Sequence, residues 1–175
     1  MMDRFILRAQ LRAVLPGGVM LHASSVAEND AALVFLAPSG GGKSTAMGLL
    51  SRKHFGAIAD DSLVVARGTD GAIRCLPCGS MKQGTGIENI SGARLRAFYF
   101  LEKGKPLVIR KLHPGYALYR ALRISPLMAF DHIEPEERSE VLAFTNWLFL
   151  TFPSYVLRYH PSEDPSELLL EHVHG

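Results

Sequence analysis

Residues 31–45 read A-A-L-V-F-L-A-P-S-G-G-G-K-S-T, and this stretch decides the fold. Its first six residues are a short continuous apolar run suited to a buried strand. Residues 37–44, A-P-S-G-G-G-K-S, then give the phosphate-loop pattern with alanine in the first glycine position. A helix is expected over 44–53. In a strand–loop–helix of this kind, the backbone N–H groups from Ser39 to Ser44 point into one concavity, with the positive end of the helix dipole behind them. That geometry holds a polyphosphate. Gly40, Gly41 and Gly42 permit the left-handed and close-approach conformations that a side chain would block. Lys43 can reach β- and γ-phosphates and Ser44 can ligate Mg²⁺, while Pro38 and Thr45 complete the loop. The expected cofactors are ATP and Mg²⁺.

A phosphate loop says that a nucleotide binds, not what becomes of its γ-phosphate. Asp60 and Asp61 stand at the end of a short strand expected over 57–59, where the chain can return beside the loop in a βαβ-like unit. One carboxylate can hold Mg²⁺ and the other can accept a proton from a hydroxyl or orient a water. His22 lies in the strand segment that precedes the loop strand. It reads either as a satisfied core histidine or as a group brought near the γ-phosphate by the sheet.

Outward from this centre, the 175 residues, 47% hydrophobic and 21% charged, fit one domain over 1–175. Nineteen Lys+Arg against seventeen Asp+Glu give a formal +2, far from the balance of a dedicated nucleic-acid binder, so no nucleic-acid partner is expected. The most apolar stretch, 141–152, contains Thr145, Asn146 and Thr151 and is about half the length that crosses a bilayer, so no membrane partner is expected. Arginines interrupt every apolar run of the opening residues, unlike a signal peptide, which makes the cytoplasm the expected location. Further strands are expected over 19–27, 63–67, 72–76, 95–101, 107–111 and 155–159. Helices are expected over 3–15, 116–123, 135–152 and 165–173, with a long glycine-rich loop over 79–92. This mixture points to an α/β layered fold.

Three motifs together, L-H-A-S at 21–24, A-P-S-G-G-G-K-S-T at 37–45 and A-D-D at 59–61, resemble the catalytic domain of HPr kinase/phosphorylase. The sheet and phosphate loop of that family in turn resemble phosphoenolpyruvate carboxykinase. The resemblance covers residues 19–67 and implies an α/β, P-loop kinase-like mixed sheet flanked by helices. It implies that Asp60 is the proton acceptor for a hydroxyl, that Asp61 and Ser44 lie near the metal, and that His22 and Lys43 attend the transferred phosphoryl group. It also implies a homo-oligomer. The implied activity is ATP-dependent transfer of the γ-phosphoryl group to a hydroxyl of a protein, peptide or small-molecule acceptor. Two segments depart from the family pattern. Met81 and Gln83 stand where it carries glutamate and arginine, and Pro114-Gly115 is followed by Tyr116 rather than arginine. These departures favour the alternative of a nucleotide-binding regulatory protein without transfer, whereas the intact Asp60-Asp61 pair favours the enzyme.

Other signals are read as structural. Cys75 and Cys78 have a two-residue spacing but no second pair to complete a zinc site. His172 and His174 are expected on a frayed polar end. The run V-L-A-F-T-N-W-L-F-L-T-F at 141–152 is apolar on nearly every helical face and is expected to be a buried helix.

Overall fold

The structure, a computed structural model, describes residues 17–78, 91–124 and 135–174. The expected helix over 3–15 and nearly all of the glycine-rich loop, with residues 81–87, lie outside the described residues.

The apolar run before the loop forms β3 (Ala31–Leu36). Ala32, Val34 and Leu36 join one core and Leu33 and Phe35 the other, so the strand is buried on both faces and carries no polar alternation. β7 (Ala93–Lys103) lies parallel on one side of it, and β2 (Ser24–Glu28) antiparallel on the other. The tight turn from β2 to β3 contains Asn29 at φ 54°, a conformation asparagine tolerates. β4 (Gly56–Ala59) pairs antiparallel with the outer edge of β2. The chain therefore runs from β3 through α1 (Lys43–Leu50), passes over β2, and returns in the direction of β3.

β7 is shared between two partners on its other side. Its first residues pair with β6 (Ile73–Pro77), and its C-terminal half pairs in parallel with β9 (Ser154–Tyr159). β5 (Leu63–Arg67) and β1 (Gly18–Leu21) continue outward from β6, and β8 (Val108–Lys111) lies beyond β9. The result is a nine-stranded, mostly antiparallel sheet. The single strand expected over 19–27 is two strands broken at His22. There the chain leaves β5, the partner of β1, and joins β3 and β4, the partners of β2.

Helices cover both faces. α2 (Pro114–Ile124) and α3 (Pro135–Thr151) pack on the face that contains Phe98 and Phe100, where Phe149 stacks on Phe98 at 4.4 Å. α1 and α4 (Ser166–His174) cover the face of Phe35, Tyr99 and Leu157. α3 is not buried all round as expected. Val141, Phe144, Leu148 and Phe149 face the core at helical spacing, whereas Leu142, Trp147 and Leu150 are exposed. The C-terminal histidines are likewise ordered in α4: His172 Nδ1 lies 2.8 Å from the Tyr99 hydroxyl and His174 Nε2 lies 2.7 Å from Glu28 Oε2. Neither Cys75 nor Cys78 is in a disulfide, and burial pushes both thiols up.

A bulge in β7 matters to both layers. Ala32 is level with Leu95, but Leu33 is level with Ala97, leaving Arg96 as the extra residue. Leu95 faces the first core and Ala97 the second, so the bulge changes the phase of every later side chain.

The strand registers converge at one edge. β3 ends level with Phe100 of β7, which is level with Val156 of β9. β2 begins there, with Ser24 opposite Phe35, and β4 ends there, with Ala59 opposite Ser25. His22, the loop after Leu36, Asp60, Lys103 and Tyr159 are thus delivered to the same edge by five different segments. In sheets with parallel central strands, ligands bind at such carboxyl ends.

Candidate phosphate-binding site

The loop after β3 turns tightly, with the Gly41 N–H donating to the Pro38 carbonyl at 2.9 Å. A Cβ on Gly41 would stand 2.6 Å from Ala37 Cβ and 2.8 Å from the Pro38 oxygen, so only glycine fits that turn. Gly42 takes φ 97° at the N-cap of α1, which has no side-chain capping bond and no acidic residue in its first turn. The orphan amides of this helix start therefore have no carboxylate competing for them, the condition under which a helix N-terminus receives an anion.

Two side chains from distant strands brace the loop. The Tyr159 hydroxyl donates to the Gly42 carbonyl at 3.0 Å, and Lys103 Nζ donates to the Gly40 carbonyl at 2.9 Å. A peptide plane is rigid, so fixing the Gly42 carbonyl also fixes the Lys43 N–H on the opposite side of that plane. Neither residue was anticipated from the sequence. Their only signal is position, as the last residues of β7 and β9, and it becomes readable once the strand order is known.

Lys43 is 7% exposed. Its Nζ donates to the Ala37 carbonyl at 2.8 Å and the Pro38 carbonyl at 3.4 Å, and lies 3.0 Å from His22 Nε2. Burial lowers its pKa from the ordinary lysine value, and the nearby charges of Asp61 and Asp60 oppose that fall. An ammonium has only protons to give, so His22 Nε2 accepts and Nδ1 carries the imidazole proton. Nδ1 lies 2.9 Å from Asp61 Oδ1 and 3.0 Å from the Asp61 carbonyl. His22 thus links the loop lysine to the second aspartate.

The two acids diverge. Ser44 Oγ donates to Asp60 Oδ1 at 2.8 Å, whereas Asp61 turns to His22. Asp61 has φ 91°, a left-handed conformation that a non-glycine residue adopts at a cost of about 1–3 kcal/mol. This local strain separates the partners of two adjacent carboxylates.

His22, Ser39, the three glycines, Lys43, Ser44, Thr45 and Asp61 line one cavity of about 310 Å³, together with Lys103, Tyr159 and Pro161. Pro38 lies instead on the wall of a neighbouring cavity, and Asp60 joins the set through Ser44. His22, residues 38–45, Asp60 and Asp61 are therefore gathered around one loop. For a magnesium ion, the donor chemistry fits. A hydroxyl and a carboxylate oxygen, the hard oxygen ligands that Mg²⁺ takes, stand side by side at Ser44 and Asp60. Among the described residues there is no group of three or more His, Cys, Asp or Glu that could hold a metal.

No protein-family model matches the chain, and no curated protein sequence does. Among solved structures, the chain is similar to the Hpr(Ser) kinase/phosphatase from Coxiella burnetii, at 15% identity and a TM-score of 0.48, over 88% of this chain and 87% of that one. No helix among the described residues is long and apolar enough to cross a membrane.

Proposed function

We propose that the protein is an ATP- and Mg²⁺-dependent phosphotransferase acting on a hydroxyl acceptor. The observation that carries this reading is the buried Lys43 ammonium under a braced glycine loop, joined through His22 to the carboxylate of Asp61. A loop that only bound nucleotide would have no use for a proton acceptor on the far side of its lysine.

The pairing of the two acids supports a division of labour opposite to the one implied by the family resemblance. Ser44 and Asp60 hold the magnesium ion, which neutralises phosphate charge when bound. Asp61, oriented by the Nδ1–H of His22, accepts the proton of the acceptor hydroxyl. The acceptor oxygen forms a bond to the γ-phosphorus, the bond from that phosphorus to the β–γ bridging oxygen breaks, and ADP carries away the electron pair. Lys43 and the loop amides stabilise charge on the transferring group. In such reactions positioning and electrostatics supply most of the rate.

The test is a pair of variants assayed with γ-labelled ATP and a panel of hydroxyl-bearing peptides and small alcohols. Asp61→Asn keeps nucleotide affinity and loses about 10²–10⁴-fold in transfer, the range of a general base. Asp60→Asn raises the Mg²⁺ concentration needed for half-maximal nucleotide binding. Unchanged transfer in Asp61→Asn removes that residue from the reaction, and absence of labelled product from the wild-type protein across the whole panel sinks the transferase reading.

A further inference from the structure

α2 meets the core through Ala117 and Ala121, with Leu118 and Ile124 partly buried beside them, while Tyr116 and Tyr119 remain 53% and 52% exposed. Large amphipathic rings held in water on a helix are characteristic of a binding surface. Tyr116, Tyr119, Arg120 and Arg123 fall at i, i+3, i+4 and i+7 and therefore share one face. That face, with Pro38 and Ser39 of the loop, walls a second cavity of about 410 Å³.

The wall is pre-organised. The two tyrosine rings stack at 6.2 Å with 22° between their planes. The Arg123 guanidinium lies 5.7 Å above the Tyr119 ring centre and donates to its hydroxyl at 2.9 Å. Arg120 rests over the Phe100 ring at 5.1 Å and donates to Glu102 at 3.0 Å. Glu102 is shared with Arg158 at 3.4 Å and Arg110 at 4.0 Å, so three guanidiniums surround one carboxylate and positive charge is left over. Among the described residues no carboxylate lines the cavity and Arg123 makes no ion pair.

The two cavities meet at Ser39, which lines both. His22, Lys43 and Asp61 line the first, and Lys43 Nζ, the group that reaches γ-phosphate in a phosphate loop, donates to the carbonyls of Ala37 and Pro38, the latter a wall residue of the second.

We infer that the second cavity is the acceptor subsite and that it takes an acidic peptide segment. Its carboxylates are received by Arg120 and Arg123, its backbone crosses the Tyr116–Tyr119 rings, and its hydroxyl is presented toward Ser39 and Lys43. Rings and guanidiniums repeating one helical turn apart suit an extended chain better than a compact molecule. The fate of the hydroxyl rests on the phosphotransferase reading; the binding does not.

The experiment measures fluorescence anisotropy of two labelled serine peptides of equal length, one flanked by Asp and Glu and one by Lys and Arg. Both are titrated with the full chain in the presence of Mg²⁺ and a non-hydrolysable ATP analogue. The acidic peptide is expected to bind at least about tenfold more tightly, as charge-assisted contacts to arginine imply. Arg123→Gln reduces its affinity about tenfold, Arg123→Glu transfers the preference to the basic peptide, and both variants bind the nucleotide analogue as the wild type does. Equal binding of the two peptides, or an unchanged preference in Arg123→Glu, overturns the assignment. Binding of the acidic peptide without label transfer from γ-labelled ATP leaves the subsite standing and removes the transferase reading. Transfer confined to basic or neutral peptides does the opposite.

Discussion

Replacing Gly41 by alanine gives the sharpest test of the loop, because its cost follows from distances. The added methyl would lie 2.6 Å from Ala37 Cβ and 2.8 Å from the Pro38 carbonyl oxygen, where ordinary contact needs about 3.5–4.0 Å. The obstacle is main chain and a stub side chain, neither of which can swing aside, so the turn itself must open. Opening it forfeits the Gly41-to-Pro38 hydrogen bond, about 0.5–1.5 kcal/mol, and relieving the overlap costs about 1–3 kcal/mol more. Together they predict a loss of about 1.5–4.5 kcal/mol in nucleotide affinity, or roughly 10- to 2000-fold in Kd. Gly40→Ala is the internal control. Its Cβ meets nothing within 4 Å, and only its φ of 72° is penalised, at about 1–2 kcal/mol or roughly 5- to 30-fold. Isothermal calorimetry with Mg·ATP measures both. Binding by Gly41→Ala as tight as by Gly40→Ala would refute the assigned loop conformation.

Further outcomes follow from the same contacts. Tyr159→Phe deletes one donor to the Gly42 carbonyl and should weaken nucleotide binding by about 0.5–1.5 kcal/mol in the same calorimetric assay, without loss of fold. Phe149→Ala empties a fully buried site stacked on Phe98 and should lower unfolding stability by about 3–5 kcal/mol in a urea titration. Burial alone would raise Asp164, but the Lys53 ammonium and two donations from Ser166 outweigh it and hold the carboxyl at about 2, below its ordinary 3.8. Because the folded value is the lower one, the stabilisation is complete above pH 3.8 and disappears as pH falls toward about 2. Asp164→Asn should flatten that stretch of the stability-versus-pH curve measured by circular dichroism, and a curve identical to the wild type's would exclude Asp164 as its source.

The parts of this molecule that depend on neighbours in sequence were legible before any coordinates. β3, the glycine loop, the start of α1 and the hairpins at Asn29 and Asp70 are each dictated within a few residues by apolar runs and turn chemistry. His22, Lys43, Ser44, Asp60 and Asp61 could also be picked out together. Which acid serves which partner could not, because that depends on the φ of 91° at Asp61, which no residue pattern encodes. Lys103 and Tyr159 were invisible for another reason. Each is the end of a strand, and its loop partner lies far off in sequence, at separations of 63 and 117 residues. The exposed face of α3 was misread because its uniform apolarity hides which stripe meets the sheet. Packing against Phe98 and Phe100 decides that.

The extra residue at Arg96 sets where β7 can absorb a change in length. Leu95 and Ala97 stand opposite the consecutive residues Ala32 and Leu33 and face opposite cores, so deleting Arg96 would leave a regular ladder with Phe98 and Phe100 on their present face and Lys103 still at the Gly40 carbonyl. Deleting a residue between Phe98 and Lys103 has no such slack to take up, and would put the side chains on one side of the cut on the wrong faces. A one-residue deletion should therefore be tolerated at Arg96 and not farther along the strand.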